Sequence, residues 1–215
     1  ECIEQLFTGS ATFGKKVYCE IDRIGDLIGE IFLVVKLPKL INSGNKDKTV
    51  SWVNSVGHAL IKYIDIEIGE TVIDRHYGIW MQIWSELTVS CCKRGAFNEM
   101  IGKKNNFYEN LESNEMNLYV PLYFWFCRNK GLSLPLIALQ NHSVRINLGI
   151  RDFDELWISE DENGPIPEEI TNCSLFVDYI FLDDTERKFF AQNTHNYLIE
   201  QLQISSTALD TTELY

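Results

Sequence analysis

Apolar and polar residues alternate with a period of two over much of this chain, the signature of strands with one buried face. Val17, Cys19 and Ile21 share one face of a first segment, and Tyr18, Glu20 and Asp22 share the other. Ile31, Leu33, Val35 and Leu37 then alternate with Glu30, Phe32, Val34 and Lys36. Gly25-Asp26 reads as a turn between the two, and Pro38 closes the second because proline cannot donate to a ladder. Residues 42–48 are polar and contain glycine, so they read as a loop. A further strand is expected over 60–68, with Ile64, Ile66 and Ile68 inward and Asp65 and Glu67 out in solvent. Lys62 falls on the apolar face of that strand and breaks its pattern. Gly69-Glu70 turns the chain into a strand over 71–74.

The period changes over 79–87. Ile79, Ile83 and Leu87 are spaced by four, as are Trp80 and Trp84, which predicts a short helix with a broad apolar face. Residues 93–117 form a polar excursion, partly helical. Strands are expected again over 118–126, 134–139, 144–150 and 173–182, with an acidic, proline-containing loop over 161–169. Asp183 followed by Glu186 has the pattern of a helix N-cap and its box. The helix so opened would run over 185–201 and bury Phe190, Thr194, Tyr197 and Leu198. Ile199 would then point away from the buried face, marking that helix as a junction with a further body of protein. The tail from Ser205 is polar. About eight strands with two helical insertions predict an all-β fold, an antiparallel sandwich or jelly roll. A parallel α/β fold would need a helix between successive strands, and these are absent.

Composition supports the β reading. The 215 residues are 45% hydrophobic, enough for one well-buried core, and five Trp, nine Tyr and twelve Phe favour pleated surfaces. Nineteen Lys and Arg against thirty-one Asp and Glu leave a formal charge of −12. Such a surface repels phosphate backbones and anionic lipid, so direct contact with nucleic acid and membrane insertion are not expected. The most apolar stretch, 118–127, is half the length of a membrane span. Chain start at Glu1 rather than Met points to a missing or processed N-terminus. The six cysteines, Cys2, Cys19, Cys91, Cys92, Cys127 and Cys173, include no C-x-x-C pair, which fits free thiols better than disulfides or zinc.

Candidate chemistry is sparse. His58, His76, His142 and His195 form no His-x-His pair. Ser10, Ser55 and Ser133 lack a nucleophile-elbow context, and no phosphate-binding glycine motif occurs. Asp65/Glu67 and Asp183/Asp184 are explained by a solvated strand face and a helix cap rather than by a glycosidase dyad. Cys91-Cys92 stands beside Lys93-Arg94, whose charges could lower a thiol pKa, but an ordinary pair of small residues is the simpler reading. Tyr123-Phe124-Trp125-Phe126, read as strand, would alternate faces and so form no stacking platform. The sequons at Asn141 and Asn172 are discounted for want of a secretory signal. The expectation is therefore no catalytic, cofactor-binding or metal-binding residue, no cofactor and no enzyme activity.

Longer segments carry a resemblance. Trp52-Val53-Asn54-Ser55-Val56-Gly57-His58-Ala59-Leu60-Ile61 resembles a recognisable stretch of the major capsid proteins of nucleocytoplasmic large DNA viruses. The likeness continues through Glu67-Ile68-Gly69, Ile73-Asp74-Arg75-His76-Tyr77-Gly78 and Trp84-Ser85-Glu86-Leu87-Thr88. It resumes at Pro121-Leu122-Tyr123-Phe124-Trp125-Phe126-Cys127-Arg128 and Leu134-Pro135-Leu136-Ile137-Ala138-Leu139-Gln140. Asp178-Tyr179, Phe190-Ala191-Gln192 and Tyr197-Leu198-Ile199-Glu200-Gln201 follow in family order, and Gly9-Ser10-Ala11 with Phe13-Gly14 resembles the family's start.

The resemblance implies a subunit of two eight-stranded jelly rolls, of which 1–204 would be the first and 205–215 the start of a linker to the second. It implies homotrimeric, pseudo-hexagonal capsomers tiling an icosahedral shell, with neighbouring capsomers and minor capsid proteins as partners. It places the protein in the virion, after assembly in the host cytoplasm. A separately encoded single jelly roll is the other organisation the residues allow. A carbohydrate-binding jelly roll is the alternative function, and it would need an exposed aromatic shelf with polar neighbours.

Overall fold

The computed structural model describes residues 1–44, 49–105, 114–159, 164–166 and 168–205. Eleven strands and five α-helices are present among them. Two antiparallel sheets face each other across a core of aliphatic side chains. Sheet A runs in the order β1 (Cys2–Leu6), β11 (Asn172–Ile180), β3 (Leu27–Leu37) and β7 (Met116–Pro121), with β8 (Leu134–Pro135) beside the start of β3. Sheet B runs β2 (Lys16–Glu20), β9 (Val144–Ile150), β5 (Ile61–Ile68) and β6 (Thr71–His76). A two-stranded ribbon, β4 (Val50–Trp52) with β10 (Trp157–Ser159), closes one end. Strands successive in the chain often lie in opposite sheets, so Gly25 and Asp26 turn the chain from sheet B to sheet A rather than within a hairpin.

The expected alternation places the core. Val17, Cys19, Ile31, Leu33, Val35, Leu37, Ile64, Ile66, Val144, Ile146 and Leu148 are all buried. Each removes apolar surface from water worth about 1.5–3 kcal/mol for a fully buried aliphatic side chain. Lys62 corrects the reading of β5. Ile61 pairs with Ile150 and Tyr63 with Gly149, so Lys62 is the extra residue of a β-bulge. The bulge turns Lys62 out to solvent and lets both Ile61 and Ile64, three residues apart, point inward.

Other elements differ from expectation. The strand predicted over 118–126 ends at Pro121, and the chain turns into α4 (Trp125–Arg128). Phe124, Trp125 and Phe126 are nonetheless all buried. The segment 134–139 has two strand residues, then a 3₁₀ turn over Leu136–Ala138. β1, β4 and β10 were not foreseen, because five or three residues show too little periodicity. The excursion opens with α3 (Cys91–Met100). Expectations on 45–48, 106–113, 160–163 and 206–215, including most of the linker, lie outside the described residues.

The last helix is α5 (Asp184–Gln192), not 185–201. Asp183 caps it as predicted, its Oδ1 accepting from the Thr185 and Glu186 amides at 2.9 and 2.8 Å. The helix stops where Asn193-Thr194-His195-Asn196 begins, four residues whose side chains compete for backbone groups. Asn193 Nδ2 donates to the Phe189 carbonyl and His195 Nε2 lies 3.0 Å from the Phe190 carbonyl. Tyr197, Leu198 and Thr194 are exposed rather than buried, and Ile199 lies in chain without regular structure, not on the far side of a helix.

α2 (Gly78–Thr88) is present as predicted. Its start is pressed against the short α1 (Val56–Ala59): a Cβ at position 78 would stand 2.1 Å from the His58 carbonyl oxygen, so only glycine fits.

Candidate assembly interface

The two sheets carry opposite chemistry on their outward faces. On sheet B the outer register holds an ionic ladder. Asp65 is 1% exposed, not solvated as expected. Its Oδ2 accepts from Arg75 Nε and Nη2 at 2.9 and 2.7 Å, and its Oδ1 accepts from Asn147 Nδ2 at 2.7 Å. Asn147 also donates to Glu67, which pairs with Arg145 at 3.3 Å. The guanidinium groups of Arg75 and Arg145 lie over the rings of Tyr63 and Tyr18 at 4.8 and 4.9 Å. Gly149 makes room for the Tyr63 ring, which a Cβ there would meet at 2.4 Å. Asp65, Glu67, Arg75 and Arg145 are thus all paired, so this cluster is held together without a ligand.

Sheet A presents rows richer in apolar residues, bordered by the polar row Asn172, Lys36 and Asn117. Leu6, Ser174, Val34 and Tyr119 stand in register across its four strands, and Glu4, Phe176, Phe32 and Pro121 form the next row. Leu6 is 70% exposed and Tyr119 45%. A second exposed apolar stripe lies on α2. Trp80 and Trp84 stack on each other and pack toward the body with Met81, while Ile79, Ile83 and Leu87 face outward at 69%, 54% and 77% exposure. The helix has the predicted apolar breadth, but its outer stripe is left largely exposed among the described residues. The signal was present in the sequence, as apolar residues in both registers of β3 and on two stripes of α2.

The candidate chemical groups are dispersed. Among the described residues no group of three or more His, Cys, Asp or Glu side chains could hold a metal ion. His58 is buried with Nδ1 2.7 Å from Gln82 Oε1. Burial lowers its pKa below the usual imidazole value, against the raising effect of the Gln82 bond. His76 is enclosed between Trp80 and Phe124, with Nε2 2.8 Å from Asp74 Oδ2. His142 and His195 lie elsewhere, His195 stacked on Phe190. All six cysteines are free. Burial pushes the Cys19 thiol up to about 11 and Cys173 up to about 12, and raises Cys127 further, so these remain protonated. Cys91 and Cys92 are exposed, but Arg94 turns away from them to the Glu86 carboxylate and the Val89 carbonyl.

Two facing antiparallel sheets in this strand order define a jelly-roll protein, with exposed apolar side chains on sheet A and α2. The family model described as major capsid protein N-terminus matches residues 1–183, and the chain belongs to this family. It is similar to the major capsid protein of Phaeocystis pouchetii virus (40% identity, 95% of this chain and 46% of the relative). It is also similar to that of Pyramimonas orientalis virus (43% identity, 95% and 50%). Among solved structures, the PBCV-1 virus capsid superposes with a TM-score of 0.79 at 36% identity, over 94% of this chain and 47% of that one. Faustovirus major capsid protein shares the fold at a TM-score of 0.71 and 11% identity, over 88% and 55%. The chain spans about half the length of these relatives.

Proposed function

We propose that the chain is the first jelly roll of a shell-building subunit, with 1–204 as that domain and 205–215 opening the linker to a second. Likeness to a viral capsid along nearly the whole chain carries this reading. The two apolar surfaces support it, since a shell protein must hold apolar area in reserve for neighbours. Three subunits then form a pseudo-hexagonal homotrimeric capsomer, and capsomers tile an icosahedral shell with minor capsid proteins at its seams. The protein works in the virion after assembly in the host cytoplasm, and none of its residues is catalytic or ligates a metal.

A carbohydrate-binding role is less well supported. A sugar shelf needs free ring faces side by side, whereas Tyr18 and Tyr63 carry guanidinium groups, Phe124, Trp125 and Phe126 are buried, and the exposed rings of Tyr119 and Phe189 stand on separate elements, β7 and α5. Light scattering on the full-length protein tests the proposal. A trimer is expected, and a monomer at every concentration would overturn it.

A further inference from the structure

Residues 194–205 have no regular structure, yet three consecutive ones are tied to the body. Glu200 pairs with Arg128 Nη1 at 2.7 Å, and that guanidinium lies 4.8 Å over the Trp84 ring. Gln201 Nε2 donates to the Ile73 carbonyl. The Leu202 amide donates to Asp74 Oδ1 at 3.0 Å. Ile73 and Asp74 belong to β6, at the end of sheet B, which among the described residues has β5 on one side and no strand on the other. Ile73 is also irregular: Asp74 pairs with Ile66 and Val72 with Glu67, so Ile73 is the extra residue of a bulge. The Asp74 side chain is fully buried, and one of its two oxygens is met by the Leu202 amide.

A strand edge left open offers its backbone groups to another chain. Here the bulge interrupts the edge, and the 200–202 segment lies on the interrupted part. We infer that residues 200–202 are a strap that closes the free edge of β6 against strand addition by a second copy of this chain. The bulge spoils the edge as a template, Gln201 occupies the carbonyl the bulge frees, and Arg128 anchors the strap from the far side.

The double variant Glu200→Lys with Leu202→Pro tests the strap. It reverses one tie and removes the amide of another, and both positions lie outside the sheets. Chymotrypsin cleavage at Tyr197 and Leu198 should become about tenfold faster or more, as expected when a closed segment spends more time open. Light scattering across a dilution series should show extra, concentration-dependent pairing relative to the unaltered chain. Unchanged cleavage would show that the strap is not held by these ties. Faster cleavage without extra association would show that it does not guard the edge. Either result overturns the inference. Should the double variant lose its β-sheet circular dichroism, Gln201→Ala gives the same two readouts without touching backbone or charge.

Discussion

Arg187, on the last helix, grips Asp26, in the crossing between β2 and β3, with Nε at 3.1 Å and Nη2 at 3.0 Å. The same carboxylate accepts from the Leu182 amide at 2.8 Å. Burial alone would raise the Asp26 pKa; the Arg187 pairing and the Leu182 amide outweigh it and hold the carboxyl below its usual range. A carboxylate lowered in the native state stabilises fully above its unfolded pKa near 4, and that contribution is lost as the pH falls through the native value. Asp26→Asn should therefore be less stable than the unaltered chain at pH 7. The difference should begin to close below the unfolded pKa near 4 and vanish only once the pH has fallen through the lowered native value, under which Asp26 is protonated in both states. Urea unfolding at a series of pH values measures it, and a gap that stays constant would contradict the assignment.

His58 gives a second pH dependence in a different window. Its imidazole is buried and its pKa lowered, so the unfolded chain takes up a proton first as the pH falls. The contribution is whole above about 6.5 and is lost below that, as the pH falls toward the depressed native value. The melting temperature should drop between pH 7.5 and 5.5, and His58→Gln should flatten that part of the curve.

Lys62 separates side chain from backbone. Because its side chain is in solvent, Lys62→Ala should change stability by less than about 0.5 kcal/mol. Deleting residue 62 removes the bulge but leaves Ile61 two positions from Ile64, so plain alternation keeps both inward against Ile150 and Leu148, and the cost should stay within about 1–2 kcal/mol. Chemical denaturation of both variants checks this; a much larger loss on deletion would mean that the bulge itself sets the register.

The α2 stripe tests the assembly reading. Changing Ile79, Ile83 and Leu87 together to Ser touches exposed positions, so the melting temperature should stay within a few degrees. The trimer population of the full-length protein should fall, as seen by light scattering. An unchanged trimer would remove α2 from the interface.

The core was legible in the sequence because long strands repeat their pattern. Ile31 to Leu37 and Val144 to Ile150 display four inward positions each, and all are buried. What stayed hidden was short or depended on a partner. Val50–Trp52 and Trp157–Ser159 are strands only because each finds the other across more than a hundred residues. Asp65 looked solvated because its partners Arg75 and Asn147 arrive from neighbouring strands. The helix over 185–201 was overextended by following apolar residues through a run of Asn, Thr and His that cannot sustain it. The apolar rows of sheet A could be seen only once the strand register was known.

The strand order has a consequence for synthesis. β1 is made before the other described strands and finds its partner in β11, pairing Cys2 with Asp178. β11 also fills the place beside β3, so sheet A cannot close until the ribosome has delivered almost the whole domain. At about 5–20 residues per second the nascent chain carries unpaired, strongly apolar strands for roughly ten seconds or more. A protein needed in many copies must therefore pass through its most aggregation-prone state during translation, where slow synthesis or a chaperone on the nascent chain would determine the yield.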